Sequence, residues 1–148
     1  MSTESKSAGE AVRVAAALIA RDGRLLAARR ASGDQAGLWE LPGGKLRAGE
    51  RSDAALRREV REELGCELGV AWLYDTLDYD YPDFHLTMDC FVCRLADGAE
   101  PVAHEGVHSE LRWLAREELF DVEWLPADVQ MMRSVAYYWD EAFADQLL

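Results

Sequence analysis

The sequence predicts an α/β fold, a mixed β-sheet packed between α-helices. Three observations carry this prediction. Apolar, partly β-branched runs punctuated by turn residues recur through the first two thirds of the chain. A single helical pattern interrupts them at residues 53–64, and a second begins after Pro126. Strands interleaved with two main helices bury both faces of a sheet as an α/β/α sandwich. Residues 11–148 read as one domain, long enough to bury a stable core. Residues 1–10, small and polar, read as a disordered tail.

The first strand spans residues 12–20, and Asp22-Gly23 marks a two-residue hairpin. The return strand covers residues 24–29. A loop carrying Gly33 and Gly37 follows, then a short extended piece at residues 39–41 that Pro42 keeps out of helix. Gly43-Gly44 reads as a flexible turn. Ser52 is the expected N-cap of the first helix, with Asp53 at its positive end and Gly65 as the C′ residue. Leu56, Val60 and Leu64 form its core stripe. Residues 70–79 and 84–95 read as two strands around a turn at Tyr81-Pro82-Asp83. In the second, Leu86, Met88, Cys90 and Val92 alternate with His85, Thr87, Asp89 and Phe91, so the first set faces the core. A loop at residues 100–109, a short strand at 110–114 and a short helix at 116–120 precede a last helix at 128–147. That helix carries Tyr137, Tyr138, Trp139 and Phe143, read mainly as core packing.

Of the 148 residues, 49% are hydrophobic and 30% charged, the balance of a soluble globular chain. No apolar run is long enough to span a membrane, and the N-terminus lacks the apolar stretch of a secretory signal. A formal net charge of −12 argues against binding a nucleic acid polymer, which requires a basic surface. It does not exclude a small nucleotide, because a bound cation inverts the local sign. Cys66, Cys90 and Cys93 are read as free thiols of a reducing, cytoplasmic compartment. Cys90 and Cys93 form a CxxC, but residues three apart on a strand point to opposite faces, and no second pair completes a zinc site.

The chemistry concentrates in residues 44–66, GKLRAGERSDAALRREVREELGC. Glu59, Glu62 and Glu63 fall at i, i+3 and i+4, so three carboxylates share one helix face. At 4 Å, with an effective dielectric near 20, each pair repels by roughly 4 kcal/mol. A hard divalent cation relieves this, and Mg²⁺ takes carboxylate oxygens while keeping waters. Arg58, four residues before Glu62, can hold one carboxylate by a charged hydrogen bond. Taken alone, the glutamates are also what a solvated acidic helix face looks like.

The flanking positions decide between these readings. Gly44, Glu50, Arg58, Glu59, Glu62, Glu63 and Gly65 stand at the spacing G-x5-E-x7-R-E-U-x-E-E-x-G-U, with Val60 and Cys66 at the bulky apolar positions U. At roughly 7% usage per position, seven fixed positions recur by chance about once in 10^8 starts. The chain resembles the Nudix hydrolases, over nearly its whole length from Val12 onward, and most closely their MutT-like and CTP-pyrophosphohydrolase-like branch. The resemblance implies the Nudix fold and Mg²⁺-dependent cleavage of a nucleoside triphosphate to the monophosphate and pyrophosphate, with Mn²⁺ as the alternative metal. It implies Glu59, Glu62, Glu63 and Glu105 as metal ligands together with the Gly43 carbonyl. Glu59, with Glu105 second, would activate water, and Glu50 would brace Arg58. Arg30 would contact phosphate, and the stretch Trp39-Glu40-Leu41-Pro42-Gly43-Gly44-Lys45 would bring Trp39, Leu41, Gly44 and Lys45 to the nucleotide. The hairpin YDYPDFHLT would set Tyr81 beside the nucleoside.

Asp128 stands where the oxidised-guanine sanitisers of this branch carry Asn and the cytidine-type enzymes carry Asp. An ionised Asp only accepts hydrogen bonds. It suits the 4-amino group of cytosine, so cytidine-type substrates such as CTP, dCTP or their 5-methyl forms are expected, with 8-oxo-dGTP as runner-up. Asp128 also has a plain structural reading, the N-cap of the last helix. A reading of another class is a non-catalytic, nucleotide-sensing module, against which the intact motif argues. The expected assembly is a monomer or a homodimer.

Overall fold

The structure, a computed structural model, describes residues 10–144. The expected tail, apart from Glu10, and the end of the expected last helix lie outside the described residues.

Strand β1 (Ala11–Arg21) is the spine. Along one edge it pairs in parallel with β6 (His85–Leu95), from Ala11↔His85 to Ile19↔Cys93. Its other edge is divided. Val14, Ala15 and Ala16 pair antiparallel with β4 (Gly43–Lys45), while Ala20 and Arg21 pair with β2 (Arg24–Arg30). One branch of the sheet therefore runs β4-β1-β6-β5, with β5 (Leu68–Asp80) outermost, and the other passes through β2 to β3 (Trp39–Glu40) and β7 (His108–Leu114). The hairpin between β1 and β2 closes through Asp22 and Gly23, both at positive φ (52° and 75°), the geometry of a type I′ turn.

The sheet is mixed and covered on both faces, as expected. Helix α1 (Ser52–Leu64) lays Ala55, Leu56, Val60 and Leu64 on Ala15, Ala17, Ile19, Phe91 and Cys93. Helix α2 (Pro126–Tyr137) lays Met131, Met132 and Val135 on Ala16, Leu18, Cys90 and Val92. The alternation along β1 between these two sets is the strand period of two. It also separates Cys90 from Cys93: both thiols are free and buried, one on each face. Burial raises the Cys90 pKa and pushes that of Cys93 up to about 12, so neither is a reactive thiolate. Strand β6 departs from a single buried face, because Phe91 and Cys93 reach the α1 side.

Six local expectations need correction. The Gly43-Gly44 turn is strand β4. Ser52 is the first residue of α1, and the cap position falls on Arg51, extended and without a side-chain cap bond. Asp53 cannot reach back because it is tied to Arg51 at 3.1 Å. Helix α2 starts at Pro126 with Leu125 as its cap, so Asp128 lies inside the first turn and caps nothing. The single last helix is two, α2 and α3 (Trp139–Ala142), separated at Tyr138, where ψ rises to 22°. Strand β7 begins at His108, and residues 116–118 form one 3-10 turn. Among the described residues no helix is long and apolar enough to cross a membrane.

Leu56 is fully buried between α1 and the sheet. Leu56→Ala should lower unfolding free energy by about 2–5 kcal/mol in urea titrations; a loss under about 1 kcal/mol would mean that the face relaxes to fill the space.

Candidate active site

The site begins with close approach of two backbones. Gly43 sits at φ 147°, and a Cβ there would overlap the carbonyl of Ala15 on β1. A Cβ on Gly44 would overlap the Glu59 carboxyl. The two glycines let β4 lie flat on β1 and let α1 drop its glutamates onto β4.

Arg58 fixes those glutamates. Its Nε and Nη2 donate to the two oxygens of Glu50, both at 2.9 Å. Nη1 donates to Glu59 at 2.7 Å and more weakly to Glu62 at 3.4 Å, and Nη2 also reaches the Lys45 carbonyl at 3.1 Å. The expected brace between Glu50 and Arg58 is present, while the Arg58–Glu62 contact suggested by their spacing is the weakest of the set. Hydrogen bonds from Arg58 pull the Glu50 pKa down to about 2. Glu62 is half exposed and is shared between Arg58 and Arg47.

Glu63 behaves oppositely. Burial pushes its pKa up to about 8, with the charges of Glu40 and Glu59 adding, although the Gly43 N–H donates to it at 3.3 Å. The Glu63 carboxyl is hydrogen-bonded to that of Glu59. The neighbouring Glu59 and Glu63 carboxyls offer the oxygen donors that a hard divalent cation takes. Among the described residues no three acidic, imidazole or thiol side chains form a ready-made cage, so the fit rests on the Glu59–Glu63 pair and backbone oxygen.

Beside this pair lies a cavity of about 510 Å³, within the usual range for small-molecule sites. Glu63, Gly43, Gly44, Lys45, Arg30 and Glu40 line it together with Leu41, Tyr81, Phe84, Met88 and Asp128. Tyr81 stacks on Phe84 with ring centroids 5.0 Å apart. Its hydroxyl accepts from Ala127 N–H at 3.2 Å, tying the β5–β6 turn to the start of α2. Asp128 is buried on the cavity wall, and its Oδ2 accepts from Leu41 N–H at 3.4 Å. Burial, with the nearby Glu40 charge, pushes its pKa up to about 8.

A family model of the NUDIX domain matches residues 9–135. The chain is a Nudix hydrolase. It is 36% identical to the CTP pyrophosphohydrolase of Escherichia coli (strain K12) over 136 residues, 83% of this chain and 90% of that protein. With the 8-oxo-dGTP diphosphatase of the same organism it shares 33% identity over 100 residues, 68% of this chain and 75% of that protein. The solution structure of the E. coli ORF135 protein superposes with a TM-score of 0.76 at 33% identity, covering 93% of this chain and 96% of that one.

The Nudix helix α1 thus meets the cavity through Glu63, with Glu59 behind it against Gly44. Arg30, Leu41, Gly44, Lys45, Tyr81 and Asp128, expected at the nucleotide, all line the cavity. Besides Arg58 and Glu59, which lie behind Glu63, three expected residues are not on its lining. Trp39 is a core residue, 6% exposed, packed with Leu41 and Trp124, so it offers no stacking face. Glu105 is exposed, and Gly106 and Val107 occupy the cavity wall that it was expected to reach. Glu62 points toward Arg47 and solvent. Two residues not singled out from sequence are Glu40 and His108. Glu40 accepts from Arg30 Nη1 at 2.8 Å and from His108 Nε2 at 2.9 Å. Glu40 had a visible signal, an acid inside the Trp39–Lys45 stretch. His108 had none, because a strand irregularity turns it inward.

The raised Asp128 pKa has a stability consequence. In the unfolded chain this carboxyl ionises near 3.8, whereas folded it keeps its proton to about 8. Between those values the native state holds the extra proton, so this residue makes stability fall as pH rises. Asp128→Asn cannot ionise. Its stability relative to wild type should rise by at least about 1 kcal/mol between pH 5 and pH 8 in urea titrations; a pH-independent difference would show that Asp128 is ionised when folded.

Proposed function

We propose that this Nudix hydrolase is a Mg²⁺-dependent nucleoside triphosphate pyrophosphohydrolase, selective for cytidine-type nucleotides. The observation that carries the substrate choice is Asp128, buried on the cavity wall, where burial raises its pKa to about 8 and favours the protonated form. A protonated carboxyl presents one donor and one acceptor side by side. Cytosine presents their complement, the N3 acceptor beside the 4-amino donor. An ionised Asp128 would accept only from the amine; with the proton in place the match is bidentate. The similarity to the E. coli CTP pyrophosphohydrolase over 90% of its length supports the same reading.

The reaction follows from the charged groups. The oxygen of a water molecule bonds to a phosphorus of the triphosphate, the bridging P–O bond breaks, and the products are NMP and pyrophosphate. Glu59 positions this water and takes its proton. Arg30 and Lys45 on the cavity wall offset charge as it moves onto the leaving phosphate oxygens. Glu59, Glu63 and the Gly43 carbonyl would hold Mg²⁺, whose contribution when bound is Lewis acidity toward a phosphoryl oxygen. Arg58 holds Glu59 from behind, so the water-activating oxygen is the one turned away from Arg58.

A protonated Asp128 can also donate to O6 of 8-oxoguanine, which makes 8-oxo-dGTP the second reading. A panel of triphosphates assayed for pyrophosphate release separates them. CTP, dCTP or 5-methyl-dCTP should give the highest kcat/KM, and preference for 8-oxo-dGTP by more than about tenfold would reject the cytidine assignment. Asp128→Asn should shift the ranking among bases. Glu59→Gln at saturating Mg²⁺ should lower turnover of the best substrate by well over tenfold; a loss within about tenfold, only ~1.4 kcal/mol of barrier, would remove Glu59 from its central role.

A further inference from the structure

His108 is the one imidazole whose side chain is 0% exposed, and the reaction as described does not use it. A break in strand pairing brings it inward. Strands β2 and β7 pair regularly through Arg29↔Glu110, then slip to Arg30↔His108, leaving Ser109 as an extra residue on β7. In an unbroken strand His108 would share the outward face of Glu110. The bulge re-aims it beneath the cavity wall, a usual role of bulges beside active sites.

The inward imidazole is poorly satisfied as packing. Its Nε2 meets Glu40 at 2.9 Å, but its Nδ1 is buried without a partner. A leucine would fill the space with no orphaned polar atom, and such an atom costs free energy. What the histidine adds is a donor to Glu40. The other oxygen of that carboxylate accepts from Arg30 Nη1 at 2.8 Å, and Arg30 lines the cavity with Lys45 and Glu63. With both oxygens engaged, Glu40 cannot rotate, and the guanidinium it holds stays directed at the cavity.

We propose that His108 is a positioning residue: it grips Glu40 and thereby keeps the Arg30 guanidinium aimed at the phosphates of the substrate. The role of Arg30 in this sentence rests on the triphosphate reading above. The side-chain chain His108–Glu40–Arg30 does not.

The test uses His108→Leu, His108→Gln, Arg30→Ala and the double variant His108→Leu/Arg30→Ala. Glutamine can place an amide N–H near the position of Nε2. His108→Leu should lower kcat/KM about tenfold on the best triphosphate, and His108→Gln should recover most of that loss. In the Arg30→Ala background, His108→Leu should cost less than about twofold more, because its only route of action is already gone. A purely structural histidine would give an additive double variant and no recovery by glutamine, and either result overturns the proposal. The Arg30 Nε–H resonance, recorded without nucleotide, keeps the two questions apart. That nitrogen is buried, so its proton should give a slowly exchanging signal that is lost in His108→Leu and returns in His108→Gln. An unchanged signal in His108→Leu overturns the proposal whatever nucleotide is turned over. A wild type that hydrolyses no triphosphate rejects the proposed function and leaves the spectroscopic result decisive for His108. Should His108→Leu fail to fold, Glu40→Ala breaks the same link and must lose the Arg30 signal.

Discussion

One guanidinium organises the reactive half of the molecule. Arg58 reaches Glu50 in the loop before α1, Glu59 and Glu62 on the helix, and the Lys45 carbonyl at the end of β4. Those are the segments that must keep a fixed relation if carboxylates are to meet at one place. The planar fork of arginine is suited to this, since five N–H groups can address several acceptors without a change of rotamer. Lysine, a single point charge, could not hold a bidentate carboxylate and a backbone carbonyl together.

The Arg58 fork also explains how the helix tolerates its own acidity. Each of the three glutamates has a different solution. Glu59 is paired with Arg58, Glu62 is left in solvent beside Arg47, and Glu63 is buried with its pKa raised. The crowding on one helix face is thus divided by environment rather than cancelled by a single partner. The same separation appears elsewhere on the cavity wall, where burial raises the pKa of Asp128 while Glu40, close by, is held by Arg30 and His108. Burial and counter-charge give neighbouring carboxyls different states within one cavity.

Most of this was legible in the sequence, and what was missed has physical reasons. Spacing alone placed α1, its stripe of Leu56, Val60 and Leu64, and the helix end at Gly65, because each is a local, periodic property. The opposite faces of Cys90 and Cys93 followed from strand periodicity. The hidden features depend on contacts distant in sequence. Gly43-Gly44 read as a turn because nothing local shows that β1 lies against it. Trp39 was expected at the nucleotide because its burial beside Trp124 is a tertiary fact. Asp128 was treated as ionised because its desolvation comes from elements folded around it. His108 was invisible because a bulge breaks the alternation on which strand reading depends.

Strand β1 changes partners along one edge, from β4 to β2, and the cavity lies in the fork where the two branches part. Reactive groups hang from the β4 branch, where α1 packs. The groups proposed to meet the base come from the segment after β3, the β5–β6 turn and α2. On the proposed function, a change at Tyr81 or Asp128 alters the lining that faces the base while Arg58 still holds Glu50 and Glu59. A fold forked in this way lets a lineage exchange one nucleotide for another without reinventing hydrolysis.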